Sequence, residues 1–474
     1  MNFLFVKLRT ALTVMSLTSL FLVSPVYAQQ DTRPNIIVIM ADDFGWMDVH
    51  YQGNKDLDTP HLDHLATQGM QFTDAYAAAP VCSPTRAAMM TGQSPARLAL
   101  TNHAAGHVDG FYPKGAKLAE AEWVRHLSLD YVTLAERLKQ AGYATGFVGK
   151  WHLSHKPGSD DQGKYEPRLR PEHQGFDVNI AGNSYGGPPS YFAPYRLPNL
   201  EDGPDGEYLP ERLADEAIKF MKDNQDGPFF LSWWNYSVHY PFQAPEELIK
   251  KYEQRLKGTG KNHVYYAMIE GMDNAIGRVL KAVDELGIAD NTLLIFNSDN
   301  GALGNNNQPL RSGKGHLYEG GIRVPWIVRW PGVIQSGTTS AVPVISMDTF
   351  PTILEAAGVK LEADYILDGE NLLPLLKQTG KLKRDAIYFH YPNYAFHKQN
   401  RLGGAIRSGN YKLIKFYDDN SIELYDLSKD IGEQTNLANK KPKLAKRLQQ
   451  QLEQWLVDNN AKMPVPVGSA TADR

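Results

Sequence analysis

Asn35-Ile36-Ile37-Val38-Ile39-Met40 is an uninterrupted apolar run with the length of one β-strand. A strand without polar alternation is typical of a sheet that is covered by helices on both faces. Further along the chain, strand-like apolar runs at 143–148, 228–234 and 292–297 alternate with helical segments at 133–141, 209–222 and 265–286. This alternation predicts an α/β fold, with a large mixed, mostly parallel sheet sandwiched by helices.

The pattern changes near residue 380. Short strand candidates follow at 386–390, 404–407, 411–416 and 422–425, and a polar helical segment at 442–459 closes the chain. Turn residues such as Gly409-Asn410 separate the strands, as in hairpins. We therefore expect a catalytic α/β domain over 29–380 and a smaller C-terminal domain over 381–474, with an antiparallel sheet and one helix.

The first 28 residues have the features of a signal peptide. Lys7 and Arg9 precede the apolar run 11–23, and Val26-Tyr27-Ala28 gives a small-x-small cleavage pattern. The alternative, an uncleaved membrane anchor, is disfavoured because the apolar run is short for a membrane span. We expect an exported protein, periplasmic or extracellular, with no membrane anchor after cleavage.

The charge balance bears on the partners of the chain. Lys and Arg number 49 and Asp and Glu number 53, for a net charge of −4. Removing residues 1–28 leaves 47 cations against 53 anions, a net charge of −6. A mildly acidic chain argues against nucleic acid as a partner. It leaves open an anionic substrate in a locally cationic pocket.

Two apolar strands end in pairs of oxygen-bearing side chains. Asp42-Asp43 follows the run 35–40, and Asp299-Asn300 follows the run 292–297. Carboxylate and amide oxygens at neighbouring strand ends suit a hard divalent cation. A solvated acidic turn is the alternative for Asp42-Asp43 taken alone.

Cations and imidazoles follow strand ends as well. Lys150 and His152 come after the run 143–148, His239 comes after 228–234, and Lys314 stands in a Gly-rich segment. Taken singly, each has an ordinary structural explanation. Together with a metal they suit a small tetrahedral anion, because lysines bind its oxygens and histidines move protons.

Cys82 is the only cysteine of the chain, so it has no partner for an internal disulfide. Pro84 predicts the first turn of a helix that ends near Gly92, which places Cys82 at the helix N-terminus with Arg86 one turn on. An inert buried cysteine is the alternative to a reactive group.

These motifs resemble those of the formylglycine-dependent type I sulfatases, in the alkaline-phosphatase-like superfamily. The resemblance covers essentially the whole mature length, and the motifs occur in the family's order. Thr85 stands where Ser is common in the family. The motifs are Asp42-Asp43, Cys82-Ser83-Pro84-Thr85-Arg86, Gly149-Lys150-Trp151-His152, Ser298-Asp299-Asn300-Gly301 and Lys314-Gly315-His316.

The resemblance implies that a formylglycine-generating or sulfatase-maturing enzyme oxidises Cys82 to formylglycine (3-oxoalanine), whose hydrated form is the nucleophile. It also implies one Ca²⁺ per chain, held by Asp42, Asp43, modified Cys82, Asp299 and Asn300. By resemblance, Arg86, Lys150 and Lys314 bind the diol or the sulfate oxygens. His239, with Lys314, protonates the leaving oxygen, and His152 helps to release sulfate.

The substrate expectation rests on two segments that resemble polysaccharide-active bacterial sulfatases, the loop 182–192 with Tyr185 and Tyr191, and the run 390–394 with His390 and Asn393. Aromatic and polar loop residues suit binding to sugar rings. The alternative is that these side chains only pack the domains together. We expect a galactose 4-O-sulfate of a carrageenan-type galactan, with a glycosaminoglycan (N-acetylgalactosamine sulfate) as the alternative.

Three other functions remain open at this point. A phosphoester hydrolase of the same superfamily would normally carry Ser or Thr at the nucleophile position. A calcium-dependent protein that binds sulfated glycans is favoured if Cys82 stays unmodified. The retained cations and histidines argue against this binding protein, because binding alone needs no proton donors. A structural secreted domain with an incidental cysteine is the third alternative. The sequence does not decide the oligomeric state, nor whether the protein acts within glycan chains or at their ends.

Overall fold

Strands and helices alternate along the chain, as the sequence predicts. The computed structural model describes residues 33–104, 106–107, 110–154, 167–303, 307–395 and 399–469, so the expected signal peptide at 1–28 lies outside the described residues. Within them the strands are β1 (Asn35–Ala41), β2 (Met70–Phe72), β3 (Ala75–Tyr76), β4 (Leu118–Ala119), β5 (Ala144–Gly149), β6 (Val178–Ile180), β7 (Phe229–Trp234), β8 (Thr292–Ser298), β9 (Trp326–Arg329), β10 (Thr338–Ser340), β11 (Val344–Ile345), β12 (Ala386–Tyr391), β13 (Gly403–Ser408), β14 (Tyr411–Phe416), β15 (Ile422–Asp426) and β16 (Val465–Pro466).

The α-helices of the same residues include three short ones of a single turn. In chain order they are α1 (Pro60–Gln68), α2 (Cys82–Thr91), α3 (Pro95–Leu98), α4 (Leu134–Gln140), α5 (Leu209–Asp223), α6 (Glu246–Arg255), α7 (His263–Glu285), α8 (Glu319–Ile322), α9 (Thr349–Ala356), α10 (Leu373–Leu376) and α11 (Pro442–Asp458). Sequence signals fix several of these ends. Thr133 caps α4 with a side-chain and backbone capping box shared with Glu136, and Gly92 ends α2 in the left-handed conformation. None of the helices in the described part of the chain is both long and apolar enough to cross a membrane.

The large sheet has eight strands in the order β10-β2-β9-β8-β1-β7-β5-β6. Every neighbouring pair is parallel except β2 with β9 and β9 with β8. The fold class predicted from the sequence, a mixed and mostly parallel sheet, is therefore confirmed. Because β8, β1, β7 and β5 are consecutive and parallel, their carboxyl ends lie along one edge of the sheet.

Helices cover both faces of this sheet. Successive side chains of β1 point to opposite faces, so they belong to two separate cores. Ile37 and Ile39 join a core with side chains of α1, α5, α6 and α7. Ile36, Val38 and Met40 join a second core with side chains of α2, α4, α9 and α10. The apolar run that opened the sequence analysis is thus buried on both faces, as its composition predicts.

The C-terminal sheet is antiparallel, in the order β12-β13-β14-β15. One of its faces packs against α11, through residues such as Leu413 and Leu452. Its other face packs against residues next to the large sheet, including Val81 and Ile322. The described residues from 33 to 469 form one compact unit. The domain boundary placed near residue 380 stays a prediction.

Candidate active site

Four strand ends bring the candidate residues together. Asp42-Asp43 follows β1 and Asp299-Asn300 follows β8, and Ala41 is directly paired with Ser298 in the register of these strands. Lys150 follows β5, and its backbone N–H donates to the Trp234 carbonyl at the end of β7 (2.7 Å). The motifs are therefore neighbours because their strands are neighbours.

Gly149 makes the turn after β5 possible. Its φ angle is 110°, and a Cβ there would lie 1.9 Å from the Trp234 carbonyl oxygen. A side chain at this position would push Lys150 away from the sheet edge. Asp43 and His152 also have positive φ angles, both 59°, which are uncommon for residues with a Cβ. Their backbone conformation is held by the surrounding contacts.

Asp42 and Asp43 are fully buried, and each is matched by a lysine. Lys150 Nζ lies 2.8 and 2.7 Å from the two carboxylate oxygens of Asp42. Lys314 Nζ lies 2.6 Å from Asp43 Oδ1 and 2.8 Å from Oδ2. Burial raises the pKa of Asp42 well above its usual value despite the charge of Lys150. At Asp43 burial acts in the same direction, but Lys314 and His239 outweigh it and lower the pKa.

Asp299 and Asn300 complete the acidic side of the site. Asp299 Oδ2 accepts hydrogen bonds from Arg86 Nε (3.0 Å) and Nη2 (2.7 Å). Asn300 Nδ2 donates to Asp43 Oδ1 (2.8 Å), whereas Asn300 Oδ1 is buried without a hydrogen-bond partner. A buried carbonyl oxygen without a partner is costly, so this atom is available as a ligand to a cation.

Cys82 is the first residue of α2, with Val81 as the preceding cap residue. Its Sγ lies 3.5 Å from Asp42 Oδ1 and 3.7 Å from Asp43 Oδ1. Burial raises the pKa of the thiol, and the Asp299 charge adds to that effect. The thiol is therefore neutral, and it is a poor nucleophile as encoded.

Arg86 crosses the cluster beneath Cys82. Besides Asp299, its guanidinium lies 3.6 Å from Asp42 Oδ1, donates to the Lys150 carbonyl and stands over the Trp234 ring at 5.3 Å. Burial of this guanidinium is offset by the charges of Asp299 and Asp42, and its pKa is raised. Arg86 thus holds a permanent positive charge and orders three strand ends.

These residues could hold a metal ion. Ligand atoms of Asp42, Asp43, Cys82 and Asp299 all lie within 4.8 Å of one another, and all four residues are buried. Together with the unpartnered Asn300 oxygen, they give a set dominated by hard oxygen donors, which fits a cation such as Ca²⁺. The structure thus brings together all five residues predicted as ligands.

His239 closes the site after β7. Its Nδ1–H donates to the Tyr240 carbonyl (2.9 Å), which leaves Nε2 as the lone-pair nitrogen, 3.7 Å from Asp43 Oδ2. Burial and the charge of Lys314 lower the pKa of His239 to about 3. The ring is therefore neutral in the free protein, and its Nε2 faces the cluster.

His152 lies on the β5 side. Its backbone N–H donates to the Asn183 carbonyl (2.9 Å), and its carbonyl accepts a hydrogen bond from Ser83 Oγ (2.9 Å). Both ring nitrogens are buried without a hydrogen-bond partner in the described structure. Burial, with the charge of Lys150, lowers the pKa of His152 well below its usual value. A neutral imidazole with a free nitrogen can accept a proton.

Three of the four residues predicted to contact substrate are buried. Tyr191 is fully buried, and its hydroxyl lies 2.6 and 2.8 Å from the carbonyl oxygens of Tyr236 and His239. His390 and Asn393 are also buried, with partners in the C-terminal sheet region and at Thr101. Tyr185 is half-buried against the first core. The contacts give the three buried residues structural roles, and substrate contact stays a prediction for all four.

Sequence reasoning missed two residues that support the site. Ser83 Oγ donates to the His152 carbonyl and accepts from the Ala104 N–H (2.9 Å each), so it links α2 to the strand end. Tyr265 in α7 donates through its hydroxyl to Asp48 Oδ2 (2.6 Å), and the same hydroxyl is 3.3 Å from the Asp43 carbonyl oxygen. Ser83 lies inside the cysteine motif, but no local signal marks Tyr265.

Comparisons with known proteins give matches over most of the chain. The family model described as sulfatase matches residues 34–359, and that of the N-sulphoglucosamine sulphohydrolase C-terminal region matches 312–462. A sulfatase of Formosa agariphila is 32% identical, with 93% of both chains covered. Human N-acetylgalactosamine-6-sulfatase is 33% identical over 75% of this chain and 68% of its own. The structure of Ps i-CgsB with k-i-k-neocarrahexaose is 29% identical, with a TM-score of 0.74, and covers 90% of this chain and 93% of that one.

Proposed function

This chain belongs to the sulfatase family and is a sulfatase, and we propose that it removes sulfate from a sulfated carbohydrate through a formylglycine made from Cys82. The observation that carries the proposal is the position of Cys82. It is the first residue of α2, and its sulfur lies within 3.7 Å of two buried carboxylates in a cluster that could hold a metal.

The encoded thiol does not suit this chemistry. A neutral, buried thiol is a weak nucleophile, and a thiol has only one acidic hydrogen. Formylglycine, when hydrated, supplies an oxygen nucleophile with a second hydroxyl. We therefore propose that a maturation enzyme modifies Cys82 before the protein becomes active. We also propose that the protein is exported to the periplasm or the exterior of the cell.

The chain's own cations are placed to bind the sulfate group. Lys150 and Lys314 each carry three N–H donors, and each uses part of them on a carboxylate. The remaining donors can bind sulfate oxygens in a buried site, where charge-assisted hydrogen bonds are strong. Arg86 holds Asp299 in place and adds positive charge beneath Cys82.

We propose Ca²⁺ as the resident metal, held by Asp42, Asp43, Asp299, Asn300 and the modified Cys82. When bound, the ion supplies positive charge that stabilises anionic oxygens at the site. Three carboxylates face three cations in this cluster, so their charges balance. A bound dication would make the site positive and would favour binding of the sulfate anion. The Asn300 Oδ1 atom, which has no hydrogen-bond partner, would be a ligand of the ion.

Two histidines are available for proton transfer. His239 presents Nε2 toward the cluster from its solvent side, where we place the leaving alcohol. Because this nitrogen is unprotonated in the free protein, we propose that the Lys314 ammonium supplies the proton and that His239 relays it to the leaving oxygen. His152 has both ring nitrogens unpartnered and is held neutral by burial, so it is our candidate for the base that completes sulfate release.

For the substrate, we propose a galactose 4-O-sulfate of a carrageenan-type galactan. The similarity to Ps i-CgsB, whose structure contains k-i-k-neocarrahexaose, supports this choice. The 33% identity to human N-acetylgalactosamine-6-sulfatase supports the second candidate, a glycosaminoglycan carrying N-acetylgalactosamine sulfate. Both sugars have the galacto configuration, and they differ at C2, where N-acetylgalactosamine carries an acetamido group.

Two measurements test this proposal. Peptide mass spectrometry across 79–86, on protein made together with a maturation enzyme, should show formylglycine at residue 82. Sulfate release should then be measured on defined carrageenan and chondroitin oligosaccharides, with a matched phosphate ester as the control. Unmodified cysteine throughout, combined with tight binding of a sulfated oligosaccharide without turnover, would instead support a calcium-dependent glycan-binding protein.

A further inference from the structure

The candidate active site opens to solvent on one side. Asp42, Asp43 and Asp299 are fully buried and Cys82 is 1% exposed, whereas Lys314 and His239 are 7% and 8% exposed. The substituent that carries the sulfate must therefore leave the cluster past Lys314 and His239. Whatever lies beside these two residues contacts that substituent.

Two exposed aromatic side chains follow His239 in the chain, and one of them, Tyr240, packs against the His239 ring. In the described part of the chain, the exposed aromatic residues are Tyr112, Tyr240 and Phe242, and the last two lie within three residues of His239. Tyr240 is 56% exposed, although aromatic side chains are usually buried for most of their area. An exposed aromatic pair beside a buried polar site indicates a binding surface.

Both aromatic rings pack on residues that touch Asp43. The Tyr240 ring lies 4.3 Å from the His239 ring, and His239 Nε2 is 3.7 Å from Asp43 Oδ2. The Phe242 ring lies 5.8 Å from the Tyr265 ring, and the Tyr265 hydroxyl is 3.3 Å from the Asp43 carbonyl oxygen. The two rings are therefore the next layer outward from the candidate metal ligand.

The backbone beneath Tyr240 is held by the loop 182–192. A Cβ on Gly187 would lie 2.6 Å from His239 Nδ1 and 2.9 Å from the Tyr240 carbonyl oxygen. This close contact needs glycine, and it holds His239 and the Tyr240 backbone against the loop. The Tyr240 ring itself points away from this contact far enough to stay more than half exposed.

We propose that Tyr240, supported by Phe242, is the platform on which the pyranose ring bearing the sulfate lies. A pyranose presents an apolar C–H face, and an aromatic ring buries that face while the sugar hydroxyls stay in water. The inference rests on the proposed function, because it assumes that the sulfate is delivered by a sugar. It assigns specificity to the residue that follows the candidate proton donor.

The test compares Tyr240→Ala, Tyr240→Phe and the matched control Ile366→Ala in the mature, calcium-loaded protein. Ile366 is 55% exposed and belongs to none of the site contacts described above. The measurements are kcat and KM for a carrageenan hexasaccharide, its Kd by calorimetry, and inhibition by inorganic sulfate. Inorganic sulfate reports the cluster alone, because it has no sugar ring to reach Tyr240.

We expect Tyr240→Ala to raise KM and Kd for the hexasaccharide about 10-fold, the equivalent of about 1.4 kcal/mol. Tyr240→Phe and Ile366→Ala should stay within about 2-fold of the wild type, and inhibition by sulfate should be the same in all four proteins. Unchanged KM and Kd in Tyr240→Ala would overturn the inference, as would a wild type that does not bind the hexasaccharide. A wild type that binds it without releasing sulfate contradicts the proposed function instead, and the Kd comparison still decides the role of Tyr240.

Discussion

Two buried clusters of charges in the described part of the chain differ in how completely the chain itself provides partners for their atoms. The first is the candidate active-site cluster, called the catalytic cluster below, in which Lys150, Lys314 and Arg86 face Asp42, Asp43 and Asp299. The second ion cluster lies between the two sheets, where Lys412 Nζ contacts Glu319 Oε1 (3.0 Å) and Glu433 Oε1 (2.9 Å). Both lysines at the centres of these clusters, Lys150 and Lys412, are fully buried. Burial and balanced charge are therefore common to both clusters and do not identify the active site.

The chain itself supplies the partners of the second ion cluster; Glu433 Oε1 makes no hydrogen bond but forms the ion pair with Lys412. Glu319 Oε2 accepts from the Tyr76 hydroxyl (2.9 Å) and from Arg323 Nη1 (3.0 Å), and Glu433 Oε2 accepts from the Glu319 N–H (2.6 Å). Because Lys412 is in β14 and Glu319 begins α8, these contacts join the C-terminal sheet to the catalytic side of the molecule. Their role is structural.

The catalytic cluster leaves atoms without partners. The Asn300 oxygen and both ring nitrogens of His152 are buried and unpartnered, and the cluster opens to solvent beside His239. A folded chain tolerates such atoms where a ligand or substrate supplies the missing contacts. The difference between the two clusters predicts that substitutions in the first act on chemistry and substitutions in the second act on stability.

The largest expected effect comes from Cys82→Ser, which tests whether the catalytic cluster exists to serve this residue. We expect turnover of a sulfated oligosaccharide to fall by about 10⁴-fold or more, because the nucleophile is lost. The Kd for the same oligosaccharide should change little. Hydrolysis at the wild-type rate, with mass spectrometry showing serine at residue 82, would show that the assigned nucleophile is wrong.

Lys150→Met tests the catalytic cluster through one of its cations. The variant removes two contacts to Asp42 and a donor for sulfate, and we expect kcat/KM to fall by about 10³-fold. Saturating Ca²⁺ should limit the loss of stability, since the ion supplies a positive charge to Asp42. Steady-state kinetics and urea unfolding are the measurements, and wild-type kcat/KM would remove Lys150 from the mechanism.

Lys412→Met is the matched substitution in the second ion cluster. It leaves Glu319 and Glu433 buried without their lysine, so we expect the free energy of unfolding to fall by about 3–5 kcal/mol. The kcat/KM of the folded fraction should stay within about 3-fold of the wild type. A larger loss would mean that the second ion cluster also positions the metal ligands, through the hydrogen bond from the Gly301 N–H to the Gly321 carbonyl (2.9 Å).

The sequence predicts the catalytic cluster better than the second ion cluster for a physical reason. The apolar run before Asp42 marks a buried strand, and polar residues after parallel strands meet at one edge. No such rule brings Glu319 and Lys412 together. They are 93 positions apart, and Glu319 begins α8 whereas Lys412 lies in β14 of the C-terminal sheet. Short strands such as β2 and β10 are not predicted for a similar reason, since three residues carry no periodicity.

Tyr191, His390 and Asn393 show another limit of sequence. An aromatic or polar residue in a loop has the composition of a sugar-binding residue whether its side chain faces solvent or the interior. The structure buries all three with protein partners, which only the packing of distant segments decides. Tyr240 was not singled out, although its exposure beside His239 makes it the better candidate.

Calcium addition should distinguish the two clusters without a substitution at Lys150 or Lys412, because we expect the ion to bind only at the catalytic cluster. If the catalytic cluster is completed by Ca²⁺, a concentration 100 times the Kd stabilises the fold by about 2.7 kcal/mol, seen as a rise in Tm. Chelation should reverse the shift and abolish sulfate release. The control is Asn300→Leu, which removes the unpartnered oxygen and should bind the ion more weakly. An equal shift in Lys412→Met would show that the second ion cluster does not contribute to binding, whereas no shift in the wild type would argue against a Ca²⁺ site.

The smallest expected effect is on the pH dependence of stability, and it concerns the two buried histidines. The ring nitrogens of His152 have no hydrogen-bond partner, whereas both ring nitrogens of His390 have one. His390 Nδ1 is 2.8 Å from the Tyr417 hydroxyl and Nε2 is 2.9 Å from the Lys462 carbonyl, and burial lowers the pKa of His390 to about 4. Because the unfolded chain takes up the proton near pH 6.5 and the folded chain near pH 4, stability is lost as the pH falls through this window. The loss from His390 between pH 6.5 and 5 should be about 1.6 kcal/mol.

His390→Gln should remove this part of the acid sensitivity, measured as the difference in the free energy of unfolding between pH 6.5 and 5. Its amide can still donate to the Lys462 carbonyl, so the variant should fold, and kcat/KM at neutral pH should stay close to that of the wild type. His152 remains in both proteins, so its own contribution to acid unfolding cancels in the comparison. A large rise in KM with an unchanged pH dependence would return His390 to the substrate-binding role that the sequence suggested, and would show that a fully partnered histidine is no guide to a structural role.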